Sequence, residues 1–223
     1  MLADPHRPSP DSSSTGYRQK VSKPQKRGDE RQQAIIAALE ELLTENALEH
    51  ISIKRITDRA HVGRSAFYFY FATKYAAVAW LLNDRFQRLH DWAWPILTST
   101  ESPVSRWRAI LHWIVDEWTT QPRMFIAMLD ARNADDTAAQ LWEQWMRRYV
   151  DDLTRFITFE RNRQLAPAGP SAARLAESLN AMNEKSLENH LRRNGTVEEA
   201  NALTDMLTHI WVSSIYTFPR EKI

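Results

Sequence analysis

Apolar residues recur at three- and four-residue intervals through most of the chain, with no stretch of strict alternation. That period belongs to helices with one buried face, and the segments between the stripes carry the proline, glycine and capping residues that end helices. The first stripe, Ile35, Ala38, Leu39, Leu42 and Leu43, predicts a helix from about Asp29 to Asn46, capped by Asp29. A short helix should open at Ser52, whose hydroxyl can accept a free backbone N–H, with Ile51 and Ile56 spaced as a hydrophobic staple across the cap. Ile53, Ile56 and Ala60 share one of its faces. His61-Val62-Gly63 breaks it, and RSAFYFYF begins another helix whose Phe67 and Phe71 point inward.

A longer helix, Lys74 to about Pro95, carries Val78, Leu81, Leu82, Phe86 and Leu89. Another starts near Ser102 and stops at Pro122, and a short one covers Arg123 to Ala131. A long helix from Asp136 to about Gln164 leads into a linker bearing proline and glycine, Leu165–Ser171. The last two are Ala172–Asn194, stopped by Gly195, and Thr196–Phe218, opened by a capping box of Thr196 and Glu199. The pattern thus predicts an all-α protein of about nine helices. A basic tail without apolar period (1–28) precedes a three-helix helix-turn-helix domain (29–75) and a helical ligand-binding and dimerisation domain (76–218).

The two short helices over Ile51–Lys74 have the spacing of a helix-turn-helix, whose second helix carries side chains to base edges and backbone in the DNA major groove. An ordinary helical hairpin with an aromatic core has the same spacing. Aromatic density favours the first reading. Phe67 to Phe71 are all aromatic, so small a subdomain cannot bury every ring, and exposed rings beside Arg64 and Lys74 suit a partner surface.

These residues resemble the TetR family of transcriptional repressors. Tyr68, Phe71 and Lys74 match that family's tyrosine, phenylalanine and lysine, and FYFYF, LNAMNEKSL and HIWVSSIY resemble more narrowly one branch of it. The resemblance runs from about Asp29 to Tyr216. The family usually has glycine where His61 stands and a small hydroxyl residue where Gly63 stands; histidine is among the residues that tolerate positive φ, so the turn can still form. The resemblance implies operator DNA as partner, with Tyr68 and Lys74 on phosphates and Arg64, Ser65 and Tyr70 toward base edges or nearby backbone. Ser52 and Phe69 complete the candidate DNA-contacting set.

Composition sets limits. The 223 residues are 43% apolar and 26% charged, the proportions of a soluble globular protein, with a net charge of +1. The excess of basic residues lies before Tyr75, which supports nucleic-acid binding only weakly. There is no cysteine, so disulfides, thiolate metal sites and cysteine nucleophiles are excluded. No apolar run is long enough to span a membrane and the N-terminus lacks a signal-peptide core, so no membrane association and a cytoplasmic location are expected. The basic end of the tail is either a solubilising extension or an arm that touches DNA.

Trp107, Trp118, Trp142, Tyr149 and Trp211 lie on three body helices. Rings of that size either fill a core or line a cavity for a small molecule. Asn180 and Asn183 sit three apart in an apolar register with Ala176, Leu187 and Leu191, as an inter-helix hydrogen bond or as a polar handle for an apolar ligand. The resemblance implies the second, and implies ligand contacts from Ile114 and Met146 as well. No cofactor or metal is expected: His112 with Asp116, and Asp205 with His209, are helical pairs without a third ligand, and phosphate loops, nucleophile elbows and zinc-protease motifs are absent. Three function classes remain. They are a repressor released from DNA by an apolar small-molecule effector, a repressor-like protein with a vestigial pocket, and a helical enzyme built around the aromatic cavity. A lone helix-turn-helix reads too few bases, so a homodimer through the last two helices is expected, with Leu203, Leu207 and Ile210 in its interface.

Overall fold

The computed structural model describes residues 23–217, and every regular element among them is helical. α1 (Lys23–Glu45), α2 (Ile53–Arg59) and α3 (Arg64–Tyr70) pack around Ile35, Leu39, Leu42, Ile56 and Phe67, all fully buried. α1 opens at Lys23 rather than Asp29, so the end of the expected tail is helical; residues 1–22 lie outside the described part of the chain. One turn of 3₁₀ helix, Leu48–His50, stands before α2 and had no sequence signal. The Ser52 hydroxyl accepts from the Arg55 amide at 3.2 Å, and Ile51 and Ile56 are both buried beneath that cap, as the staple predicts.

α4 (Lys74–Leu97) leaves this group and runs across the rest of the molecule. Pro95 does not end it. The proline lies on the exposed side one turn before the terminus, where the carbonyl it frees, that of the exposed Asp91, can be hydrated. α5 (Pro103–Thr120), α6 (Pro122–Ala134), α7 (Asp136–Asn162), α8 (Ala172–Arg192) and α9 (Val197–Tyr216) follow. α4 packs on α5, α6 and α7, α7 on α8, and α9 most extensively on α5. One continuous apolar core joins all of them to the first three helices.

Three helices end alike, and none uses a glycine at the left-handed position. His61 (φ 53°), Gln164 (φ 60°) and Asn194 (φ 52°) follow the C-caps of α2, α7 and α8. In each case the next residue donates its amide back over the last turn: Val62 to Thr57 at 3.0 Å, Leu165 to Glu160 at 2.9 Å, Gly195 to His190 at 3.0 Å. His61 therefore forms the turn of the helix-turn-helix despite replacing the expected glycine. Gly195 is not the left-handed residue that stops α8. It is needed for closeness, since a Cβ there would lie 2.2 Å from the His190 ring.

Candidate functional site

The first site is the outer face of α3. Phe67 and Phe71 sit four residues apart with ring centroids at 5.7 Å, both buried, and they anchor the helix. That leaves Arg64, Ser65, Tyr68 (51% exposed) and Phe69 (80% exposed) on the surface, with Ser52 exposed beside them and Tyr70 half-buried. So bare a phenylalanine on a short helix is an unusual expense of apolar surface for a monomer. α3 begins at Gly63 without a side-chain cap.

Lys74, the expected phosphate contact, also serves the domain's own backbone. Its ammonium donates to the carbonyls of Leu48 (2.7 Å) and Ile51 (3.1 Å), bracing the turn that delivers Ser52 to the start of α2. Partial burial lowers its pKa, with the Glu49 carboxylate opposing that shift.

The second site is a cavity of about 150 Å³ lined by α4, α5, α7, α8 and α9. All nine sequence-predicted ligand residues meet there. Trp107, Ile114 and Trp118 come from α5; Trp142, Met146 and Tyr149 from α7; Asn180 and Asn183 from α8; Trp211 from α9. The amphipathic period of each helix aims these side chains at one axis; Phe86 meets Trp142 at 5.5 Å and Tyr149 at 5.7 Å edge-on, and Trp107 meets Trp211 at 4.6 Å in a tilted contact. The Tyr149 hydroxyl donates to the Phe86 carbonyl at 3.0 Å, and burial drives its pKa far up, so it stays neutral. Asn180 reaches only the Met146 sulfur, at 3.5 Å. Asn183 is 8% exposed, and its Oδ1 is buried with no partner; Trp211 Nε1 is likewise unpaired.

The sequence reading missed the α4 wall: Leu89, His90, Ala93, Trp94 and Leu97 all line the cavity. The stripe continuing from Phe86 through Leu89, Ala93 and Leu97 held that signal, and a helix expected to stop at Pro95 hid only its last member, Leu97. It also missed Asp152 and Glu184, which line the wall one turn from Tyr149 and next to Asn183. His90 Nε2 lies 3.1 Å from Asp152 Oδ2, and Glu184 pairs with Arg132, whose guanidinium stacks on Trp142 at 4.6 Å.

Polar contacts tie the two sites together. Arg85 on α4 pairs with Glu40 on α1 and, at 3.0 Å, with Glu117 on α5, adding Gln121 at 3.1 Å. The Thr73 hydroxyl caps α4 and donates to Asp135 at 2.9 Å, while the other Asp135 oxygen caps α7. At the far end of α4, buried Arg106 donates to the Leu97 carbonyl at 2.6 Å and to Glu160 at 3.0 Å, and Tyr216 donates to the same carboxylate at 2.8 Å. Burial and that bond to Glu160 both push the Tyr216 pKa up.

The expected dimer stripe is divided. Leu207 is fully buried against its own protomer and Leu203 and Ile210 are half-buried, whereas Met206 is 47% exposed. The histidine pairs have ordinary surroundings: Asp205 pairs with Arg108 at 2.8 Å, and among the described residues no three metal-ligating side chains come together. No helix among those residues is long and apolar enough to cross a membrane.

Two family descriptions match this chain. That of bacterial regulatory proteins of the tetR family covers residues 35–78, and that of the C-terminal domain of the transcriptional regulator EthR covers 107–217. The HTH-type transcriptional regulator EthR of Mycobacterium tuberculosis is 34% identical over 193 residues, which is 85% of this chain and 88% of that protein. EthR of Mycolicibacterium smegmatis is 30% identical over the same shares. In fold, the chain is similar to the regulator FadR of Bacillus subtilis crystallised with stearoyl-CoA, with a TM-score of 0.68, 14% identity, and 82% and 99% of the two chains covered. A putative TetR-family regulator from Syntrophomonas wolfei gives a TM-score of 0.65 at 17% identity, covering 86% and 98%.

Proposed function

The chain belongs to the TetR family of transcriptional regulators, DNA-binding proteins and not enzymes, and from that premise we propose that it is a repressor released from its operator by a largely apolar ligand. In this reading residues 29–75 bind DNA and 76–218 bind ligand and a second subunit. Arg64, Ser65, Phe69 and Tyr70 face base edges or nearby backbone, Tyr68 holds a phosphate, and Ser52 and Lys74 set the turn that presents them. Exposed Phe69 suits a thymine methyl group.

The observation that carries the ligand half is the cavity itself: a tryptophan-lined space in which the Asn183 oxygen is buried and unpaired. A buried amide without a partner is costly, and a ligand able to satisfy it recovers that cost. The neighbour crystallised with stearoyl-CoA, a ligand with a long apolar chain, adds support for the apolar class. At about 150 Å³ the cavity takes a group of roughly the size of benzene, and in this reading a longer ligand also parts the helices around it. Parting α5 and α7 tilts α4, which carries the DNA-binding helices, and the two recognition helices of the dimer then lose the half-site spacing.

A switch from mostly bound to mostly released requires the ligand to prefer the second state by about 5.5 kcal/mol. At about 25 cal/mol per Å² that demands a difference of a few hundred square ångströms of apolar burial, beyond a small polar metabolite and within reach of a long hydrophobic one. The experiment is a gel shift on DNA from upstream of the gene, with and without apolar ligands, alongside a tryptophan fluorescence titration. A shift abolished in parallel with the fluorescence change is expected. No shift at all would overturn the repressor reading, and a shift that no fluorescence-active ligand relieves would leave a pocket without a switch.

A further inference from the structure

Five tryptophans line the cavity, and one of them is unlike the rest. Trp107, Trp118, Trp142 and Trp211 are at most 6% exposed, and each ring meets another aromatic ring. Trp94 is 42% exposed. Among the described residues its ring has no aromatic partner and its indole nitrogen no hydrogen bond, whereas Trp92, two residues earlier, is stacked on Trp113 at 5.3 Å. Trp94 also stands where the seam between α4 and α7 is untied. The two helices run parallel: Trp145 Nε1 donates to Asn83 at 3.0 Å, Arg148 to Gln87 at 3.2 Å, and His90 meets Asp152 at 3.1 Å. Further on, Arg106 spans from the Leu97 carbonyl to Glu160. Between those ties no side-chain hydrogen bond or ion pair joins α4 to α7 among the described residues. The spacing along the seam puts Phe156 opposite Trp94, and that ring is buried and turned onto Trp107 at 5.7 Å.

We infer that this interval of the α4–α7 seam is the entrance to the cavity and that the Trp94 ring is its door, swung outward to admit a ligand and back to retain it. This rests on the cavity being the ligand site and adds how that site is reached. From His90 to Leu97 is about 10 Å of helix axis, room for a flat ring or an extended chain to pass edgewise. An exposed side chain changes rotamer within nanoseconds and here breaks no hydrogen bond in doing so. Opening the seam at His90 or at Arg106 instead breaks charge-assisted contacts and parts whole helices, which is far slower. A door governs the rates of entry and exit together and touches affinity only through the contact its own ring makes with the ligand.

The chain has no cysteine, so a single introduced thiol reports access through its alkylation. Leu187→Cys sets one on the cavity wall, with Ile110→Cys as a second wall position, and Leu39→Cys sets one in the core of the DNA-binding helices. The probe is N-ethylmaleimide, neutral and flat, applied to the full chain, each rate being divided by that of the same thiol in the urea-unfolded chain. The wall thiol should react at least tenfold faster than the Leu39→Cys thiol, which is exposed only by unfolding. Adding Trp94→Ala should speed the wall thiol at least fivefold more and leave the Leu39→Cys thiol alone; Trp92→Ala should change neither. Equal protection of wall and core thiols overturns the inference with Trp94 untouched. A wall rate indifferent to Trp94→Ala, or raised as much by Trp92→Ala, overturns it too, as does a rise shared by the Leu39→Cys thiol, which marks lost stability. The labelling needs no ligand, so its failure leaves the ligand site standing, whereas apolar ligands that fail in the fluorescence titration remove the ligand site and leave the route.

Discussion

Lys74 occupies the first position of α4 yet turns its ammonium back onto the carbonyls of Leu48 and Ile51. Two charge-assisted bonds so placed hold the 3₁₀ turn and the Ser52 cap at one distance from α3. Lys74→Ala should therefore cost about 1–3 kcal/mol of stability, read from the urea midpoint, as two carbonyls lose their partner. Its DNA affinity should fall with little change in salt dependence. A slope of log K against log salt that drops by about one would instead return Lys74 to a phosphate. The residue type and its place were legible in the sequence, but its partners were not, because they are backbone atoms of a turn that carries no pattern. The left-handed caps were hidden for a related reason. His61, Gln164 and Asn194 take a conformation that sequence reading assigns first to glycine, and the resulting strain of roughly 1–2 kcal/mol at each is held by the bonds closing the turn.

Among the elements, α4 is the one that touches both sites, and Arg85 is its junction. The guanidinium grips Glu40 on the DNA side and Glu117 on α5, the residue before the cavity-lining Trp118. In the proposed switch, a ligand that displaced α5 would carry Glu117 with it, and Arg85 would pass the displacement to α1. Arg85→Met should keep the fold, bind DNA and bind ligand, and still be released poorly. The measurement is DNA affinity with and without saturating ligand, and a coupling ratio equal to that of the wild type would clear Arg85 of this role. Helix positions and apolar stripes were readable from the 3.6-residue period, whereas the nine pocket residues that line the cavity were named by the family resemblance. What the period cannot give is which charged residues pair between helices, so Arg85, Asp152 and Glu184 were found only in three dimensions.

At the scale of the whole molecule, two half-sites require a pair of subunits, and α8 and α9 are the helices we propose for the pairing. The face available for it differs from the expected one: Leu207 belongs to the protomer core, and the exposed positions of α9 include Ala202 and Met206. An Ala202→Glu, Met206→Glu variant should fall from a dimeric to a monomeric mass in light scattering with helical content intact. A dimer that persists in this variant would move the interface elsewhere. Leu207→Glu is no test, since it would bury a charge inside one subunit.

The empty space at the centre also has a genetic consequence. A pocket of about 150 Å³ leaves the apolar side chains of its wall short of packing partners. Bulkier side chains on the wall would recover those contacts at the expense of the ligand site. Mutants isolated as uninducible should accordingly include some that melt at higher temperature than their parent, with the enlarged residue sitting where the ligand would have been.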